Sequence, residues 1–485
     1  MKKGFLGIGL ILSCVIIYLL VRTLTFSSVQ EQFPQIEKIV VRPEAKLNLS
    51  DAIKLKTISH MDKTQMDSLP FFEFLELVKT KYPLVTAQLD CKIFNELGLL
   101  YKWEGTSNAA PLILMGHYDV VPIPEENLPQ WKEDPFSGLI EDGIIWGRGA
   151  IDDKIAVIGI LEAAEALLKV GFRPKQTIYF SFGHDEEVGG HNGAEAIAAY
   201  LKSQGVKAGM VLDEGYALTE DLIPGVSEPV ALIGTAEKGY ASIKMTVEIE
   251  GGHSSVPAAE TAIGLLAGAI QELQENQFSP STTAPMKDFM RRIGPEMSFT
   301  SKMAMANQVV FKSMIYSIYS ESAEGNALIR TTTAPTVFNA GLKDNVIPGG
   351  ANCILNFRLL PGDDEAKVLS HVKEVLDDDR IEIEVLSYNP ASPESPTDVA
   401  EFEVLNRTIK ELYNNPHTSP NLVLGATDAR YFYSICDNVY RFLPIRLTPE
   451  LVPMFHGINE RIPVDEFEDG IRFYTRLIQN IDNMQ

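Results

Sequence analysis

Between residues 100 and 215 short apolar runs alternate with stretches of helical period. LILM at 112–115, TIYFSF at 177–182 and MVL at 210–212 each run into a polar, glycine-containing turn, and residues 155–168 (IAVIGILEAAEALL) read as a buried helix. Strand, helix and strand at this spacing predict a doubly wound α/β domain, whose ligands collect beyond the carboxyl ends of the strands. From Lys238 the texture changes. YASIKMTVEIEG alternates with period two, residues 258–276 have helical period, and CILNFRLLPG and IEIEVLSY alternate again. These patterns predict a smaller α+β lid or dimerisation domain with a half-exposed antiparallel sheet, inserted over residues 238–388. PASPESPT at 390–397 reads as the linker back, and helical patterns at 399–413 and 466–481 complete a catalytic domain of residues 49–237 and 389–485.

The start of the chain follows neither pattern. Residues 4–21 carry no charge, a run of 18 against the roughly 20 that cross a bilayer as a helix. Lys2 and Lys3 precede it, which predicts a single-pass anchor with its N-terminus in the cytoplasm and the catalytic domain on the non-cytoplasmic side. A cleaved signal peptide is the competing reading, and Thr25, Phe26 and Ser27 make a poor cleavage site. Residues 27–48 mix Gln, Glu, Lys and Pro without periodicity and read as a stalk.

Composition narrows the function. A chain of 485 residues with 45% hydrophobic content suits two domains. The net charge of -23, with no dense basic stripe, argues against nucleic acid as a partner. Four scattered cysteines, Cys14, Cys91, Cys353 and Cys436, form neither a disulfide framework nor a thiolate metal site, so any metal is held by nitrogen and oxygen.

The chemistry-bearing residues cluster where strands end. GHYDVVP places His117 and Asp119 just past LILM, a pairing that suits a ligand and its orienter but equally a satisfied core histidine. GRGAIDDK puts Asp152 and Asp153 at the entrance to a helix, where a carboxylate can also be an N-cap. Glu186 and Glu187 adjoin in GHDEEVGG after TIYFSF, and Asp213 and Glu214 adjoin in VLDEG. Adjacent carboxylates at the end of a buried strand repel unless a cation lies between them. With His456 in MFHGINE, these clusters converge at one edge of a doubly wound sheet and suit two divalent ions bridged by a carboxylate.

HYDVVP, GRGAIDDK, DEEVGG, LDEG and FHGINE, in this order, resemble the dinuclear zinc carboxypeptidases and aminoacylases, the family of glutamate carboxypeptidase, carnosinase and succinyl-diaminopimelate desuccinylase. The string is most similar to the carboxypeptidase S branch, which includes hydrolases of N-acyl amino acids. The resemblance extends from about residue 50 to the C-terminus. It implies a metallopeptidase that cleaves an amide or peptide bond next to a free carboxylate, in a small peptide or N-acyl amino acid. Two divalent ions are implied, zinc, with manganese or cobalt as alternatives.

Carried onto this sequence, the resemblance makes His117 and Asp213 ligands of one ion, Glu187 and His456 ligands of the other, and Asp152 the bridge. Asp119 would orient His117, and Glu186 would be the general base that takes a proton from the attacking water. A cis peptide is implied between Asp152 and Asp153. In the inserted domain His253 would stabilise the oxyanion, Asn345 would contact substrate, and Arg358 would grip its carboxylate. Asp428 in GATDAR falls in a loop the family places at the site, without an assigned role. A homodimer, with His253 acting in its own chain or in the partner copy, is a further implication.

Two other readings stand beside this one: an aminopeptidase with a related metal centre, and an extracellular binding protein that kept the fold without catalysis. Arg358 speaks against the first by favouring an anionic substrate group, and the presence of Glu186 speaks against the second. Residues 301–319, rich in Met and aromatics, suit either a greasy acyl pocket or ordinary core and lid packing.

Overall fold

The structure is a computed structural model that describes residues 2–483, apart from the side chains of residues 2–7, 9 and 63. It opens with helix α1 (Lys2–Thr25) and helix α2 (Ala45–Lys54). The first part of the large sheet follows: β1 (Asp90–Phe94), β2 (Gly98–Trp103), β3 (Leu112–His117), helix α3 (Lys154–Lys169), β4 (Ile178–Gly183), β5 (Met210–Thr219) and β6 (Val230–Glu237). The chain then forms β7 (Gly239–Glu248) and helices α4 (Ala262–Glu275), α5 (Ala284–Ile293), α6 (Phe299–Ala306) and α7 (Gln308–Tyr319). After these come β8 (Thr332–Ala340), β9 (Gly350–Leu359), helix α8 (Glu365–Leu376) and β10 (Ile381–Asn389). It returns through helix α9 (Ala400–Leu412), β11 (His417–Val423), β12 (Val439–Leu447) and helix α10 (Val464–Ile481).

The large sheet has eight strands in the order β1-β2-β4-β3-β5-β12-β6-β11. Its centre is parallel, from β4 through β3 and β5 to β12. Both faces of that centre are covered, which is why β3 and β4 are buried along their whole length and read as continuous apolar runs rather than alternating ones. Helix α3 fills one face against α10, and Gly159 lets the two approach: a Cβ there would sit 3.3 Å from the Tyr474 ring. The second sheet, antiparallel in the order β8-β9-β7-β10, carries α4 and α8 on one side. Its strand β9 alternates buried and half-buried residues, as its period-two pattern predicts.

Three elements differ from their sequence patterns. Helix α4 starts at Ala262 rather than near residue 258, because Thr261 caps it, its Oγ1 accepting from Gly264 N at 3.1 Å. Residues 27–48 do not stand off as a stalk. Gln30 donates to the carbonyls of Arg292 and Thr418, and Asn415 Oδ1 accepts from Phe33 N, so polar side chains without periodicity bind the segment along the catalytic domain. Helices α5 to α7 pack through Met286, Phe289 and Ile315 on Val230 and Leu232 of β6, beside the large sheet rather than on the core of the second sheet.

The expected span at residues 4–21 lies within helix α1, but the side chains of residues 4–7 and 9 lie outside the described residues. Among the described residues no helix is long and apolar enough to cross a membrane.

Candidate metal centre

His117 is the last residue of β3, so the end of a buried strand fixes its backbone. Its Nδ1 lies 3.0 Å from the Asp119 carbonyl and 3.3 Å from Asp119 Oδ1, which leaves Nε2 facing outward from the strand end. There it stands 3.1 Å from Asp152 Oδ1 and 3.2 Å from Glu214 Oε1. The other carboxylate oxygen of Asp152 lies 3.0 Å from His456 Nε2, which is also 3.2 Å from Glu187 Oε2. Two triads result, His117–Asp152–Glu214 and Asp152–Glu187–His456, each with its donor atoms within 4.8 Å of one another.

This donor set fits two divalent cations. Each triad offers one imidazole and two carboxylate groups, and Asp152 presents one oxygen to each. Glu187 Oε1 is buried without a hydrogen-bond partner, as expected of a carboxylate arranged for a cation rather than for a protein donor. Hydrogen bonds from His117 and His456 outweigh burial and hold Asp152 below the ordinary carboxylate range. The same contacts, with Asp152 first and Glu187 next, push His456 up to about 10.

One expected ligand is displaced by one residue. Asp213 does not face His117; its Oδ2 accepts from Ala429 N at 2.8 Å. Glu214 faces the histidine instead. Neighbours on a strand point to opposite faces, so only one of the pair can reach the centre. A bulge decides which: Arg441 pairs with Asp213 and Phe442 with Tyr216, leaving Glu214 and Gly215 as extra residues in β5. Gly215 has φ +139, and a Cβ there would lie 2.8 Å from Arg441 Cβ.

Asp119 does more than orient an imidazole. Fully buried, it accepts from Ser59 Oγ at 2.7 Å and from the backbone N–H groups of Glu186 and Glu187 at 3.2 Å each. One carboxylate therefore ties His117 to the turn that carries both glutamates. Burial pushes Glu186 well above the usual carboxylate range, with Asp428, Glu214 and Glu187 adding to the effect and His117 opposing it. The peptide between Asp152 and Asp153 is cis, and neither side chain caps α3: Asp153 Oδ2 accepts from His117 N at 3.3 Å.

Several contributors had no assigned role in the sequence. Glu460, buried at the end of FHGINE, accepts from the N–H groups of Gly149 and Ile151 at 3.0 and 2.8 Å and pairs with Arg148 at 2.5 Å. Arg148 also donates to the Gly457 carbonyl at 2.9 Å, so this pair fastens the loop of Asp152 to that of His456. Asp428 sits in a cradle of glycines: a Cβ at Gly183 or Gly190 would lie 2.6 or 1.9 Å from its carboxylate. Arg430, two residues on, donates to the Gly189 carbonyl at 2.8 Å and lies 4.9 Å from the Tyr431 ring centre. Its place in GATDAR, beside Asp428, was the available signal.

The three residues expected from the inserted domain are not gathered into the triads. His253 is exposed on the short strand Gly252–His253, with Nδ1 2.7 Å from Ser255 Oγ. That strand pairs with Val346–Ile347, and Asn345 just before it accepts at its carbonyl from Ser254 N at 3.3 Å. Arg358, half-buried on β9, stands 5.1 Å over the Tyr240 ring. Burial lowers its pKa, with Tyr240 opposing and the charge of Arg430, on the short helix Asp428–Ser434, adding to the effect.

Residues 113–480 match the family model described as peptidase family M20/M25/M40. The chain is 38% identical to the N-fatty-acyl-amino acid synthase/hydrolase PM20D1 of Xenopus tropicalis, over 98% of this chain and 94% of that protein. It is likewise 38% identical to the probable carboxypeptidase S-like 2 of Dictyostelium discoideum, over 96% of this chain and 92% of that one. Among solved structures, the M20 family metallo-carboxypeptidase Sso-CP2 from Sulfolobus solfataricus superposes with a TM-score of 0.67 at 18% identity, covering 91% of this chain and all of that one (100%).

Proposed function

The chain belongs to peptidase family M20/M25/M40 and is a metallohydrolase, and from that premise we propose that it cleaves the amide bond of N-acyl amino acids and small peptides bearing a free carboxylate. The observation that carries this reading is Asp152, with one oxygen at His117 and the other at His456. His117, Asp152, Glu214, Glu187 and His456 would hold two zinc ions. When bound, the ions supply Lewis acidity for the scissile carbonyl and lower the pKa of the attacking water.

The remaining steps belong to the protein. Glu186, held beside the triads by the hydrogen bond from its own N–H to Asp119, takes the proton of the attacking water and passes it to the leaving amine. Asp119 keeps His117 in one tautomer, with Nε2 as the ligand atom. Arg358 recognises the substrate carboxylate, and closure of the domain of residues 238–388 brings His253 and Asn345 to the scissile carbonyl, excluding water from the developing oxyanion.

For the N-terminus, we place α1 across a membrane, with the catalytic domain on the non-cytoplasmic side. Its support is the helix itself, which exposes Leu10, Ile11, Ile17, Val21 and Leu24, with two lysines before its apolar run. The reaction is tested by hydrolysis of a panel of N-acyl amino acids and dipeptides with added zinc, manganese or cobalt. Cleavage of N-acyl amino acids that is lost with chelator supports the reading; a metal-independent activity, or one confined to free N-terminal amines, removes it.

A further inference from the structure

Helix α7 carries apolar residues on two sides. Ile315, with Phe311 and Tyr319, packs inward with Met286 and Phe289 against β6. Val310, Met314 and Ile318, spaced four apart and therefore on one stripe, are 58%, 44% and 55% exposed. Val309, next to Val310 in the chain, and Phe299 of α6 are exposed apolar residues as well. Contiguous apolar surface of this kind marks an interaction site.

What covers it follows from the neighbouring helix. The C-terminal end of α1 docks at the junction of α6 and α7. Asn307 Nδ2 donates to the Leu19 carbonyl and to Thr23 Oγ1, each at 3.3 Å, and Thr23 is fully buried there. Phe26 closes the seam over Gly294, where a Cβ would lie 2.8 Å from its ring. Between them is a cavity of about 410 Å³ lined by Arg22, Phe26, Arg291, Met305 and Val309 among others. The exposed apolar stripe thus begins where the apolar helix ends. The uncharged run of α1, residues 4–21, is about 27 Å long as a helix, close to a hydrocarbon layer of about 30 Å.

Charge agrees with the same occupant. Residues 287–312 hold five cations, Lys287, Arg291, Arg292, Lys302 and Lys312, against Asp288 and Glu296, in a chain whose net charge is -23. Of these Lys287, Arg291 and Lys312 are exposed, and exposed basic residues beside an apolar face suit a surface lying in the headgroup layer of a bilayer.

We propose that Val309, Val310, Met314 and Ile318 of α7, with Phe299 of α6, form a surface that lies in the interface of the lipid bilayer crossed by α1. This rests on the membrane placement of α1 proposed above. The bilayer holds the catalytic body at two places, through the helix and through this surface, rather than by a single flexible tether. A second copy of the chain is the other occupant an apolar stripe could have, but it would leave the continuity with α1 and the basic residues unmatched.

The test uses the full chain in vesicles of phosphatidylcholine and phosphatidylserine. Cys14 and Cys91, the exposed thiols, are replaced by Ser, and a polarity-sensitive fluorophore is attached at Val310→Cys or, as the control, at Val170→Cys, which is 77% exposed at the far end of α3. Expected are flotation with the vesicles, a blue-shifted label at position 310 that nitroxide-bearing lipid quenches several-fold more than the control, and weaker quenching in Met314→Asp. Flotation with equal quenching at both positions overturns the surface and leaves the anchor standing. Failure to float removes the anchor and the surface with it. Cross-linking of Val310→Cys between copies, without lipid quenching, assigns the stripe to a dimer and overturns the proposal.

Discussion

Glu214 Oε1 lies 3.2 Å from His117 Nε2, while the adjacent Asp213 turns to the N–H of Ala429. The two carboxylates therefore separate in their consequences. Glu214→Ala is expected to lose one of two bound ions, and Asp152→Ala to lose both, because Asp152 alone belongs to both triads. Asp213→Ala should retain both ions and loosen the loop that carries Asp428. Metal analysis of the purified variants checks this, and loss of metal from Asp213→Ala with retention in Glu214→Ala would reverse the assignment.

Glu186 and Glu187 should separate in the same manner. Glu186→Gln keeps metal and substrate affinity while kcat falls about 100- to 10,000-fold, the usual range for a general base. Glu187→Gln, by contrast, loses the ion it shares with His456. Because burial raises the pKa of Glu186, kcat/KM of the parent enzyme should climb from acid pH as this carboxyl loses its proton. The acid limb should vanish in Glu186→Gln, and its persistence would assign it to another group.

How far these residues were legible in the sequence depended on local geometry. His117, Glu186 and Glu187 follow apolar runs that end abruptly, so their position past a strand end could be read directly. The choice between Asp213 and Glu214 could not, because it turns on a bulge at Gly215 that depends on pairing with Arg441, more than 200 residues away. Glu460 was hidden for a similar reason: its partners, the N–H groups of Gly149 and Ile151, are backbone atoms of a distant loop. The Met and aromatic content of residues 301–319 suited an acyl pocket or core and lid packing but did not say that the helices there pack on β6, since composition names no partner.

The metal-free protein should respond to pH in the sense opposite to metal binding. His456 is held up to about 10, above the ordinary value of 6.5, by Asp152 and Glu187. Its contribution to folding is fully present below pH 6.5 and is lost as pH rises toward about 10. An incoming ion must displace that proton, so metal affinity should rise across the same window. Thermal unfolding of apo protein and metal titration, both run from pH 6 to 10, are expected to slope in opposite directions. His456→Asn should flatten the apo trend.

Behind the centre, Glu237 and Arg441 form a buried pair at 2.7 Å, and Glu237 also accepts from the N–H and hydroxyl of Thr427 at 2.9 and 2.7 Å. Removing one partner strands the other charge out of water. Glu237→Ala should therefore cost about 3–5 kcal/mol of stability in urea unfolding, far more than the loss of an exposed pair. A change below about 1 kcal/mol would mean that the pair is solvated in solution.

Arg358 carries the preference for a substrate carboxylate, and it has a companion in Arg430. Among the described residues neither guanidinium is in an ion pair, and burial, with the charge of Arg430 adding to it and Tyr240 opposing, lowers the pKa of Arg358. Arg358, half-buried and without a carboxylate partner, is poised for an anion, since a bound carboxylate supplies the charge pairing that the site lacks. A charge-assisted hydrogen bond contributes about 1.5–3 kcal/mol, or roughly 10- to 150-fold in binding. Arg358→Ala should thus raise KM for N-acyl amino acids by that factor while leaving their carboxamide analogues nearly unchanged. Arg430→Ala should have the same selectivity if the carboxylate lies between the two groups. His253→Ala is the contrast: it should lower kcat about 100- to 1,000-fold for acids and amides alike, as for other oxyanion donors, with metal content intact. Equal treatment of acid and amide by Arg358→Ala would remove the carboxylate clamp, and with it the chief reason for preferring a carboxypeptidase over an aminopeptidase.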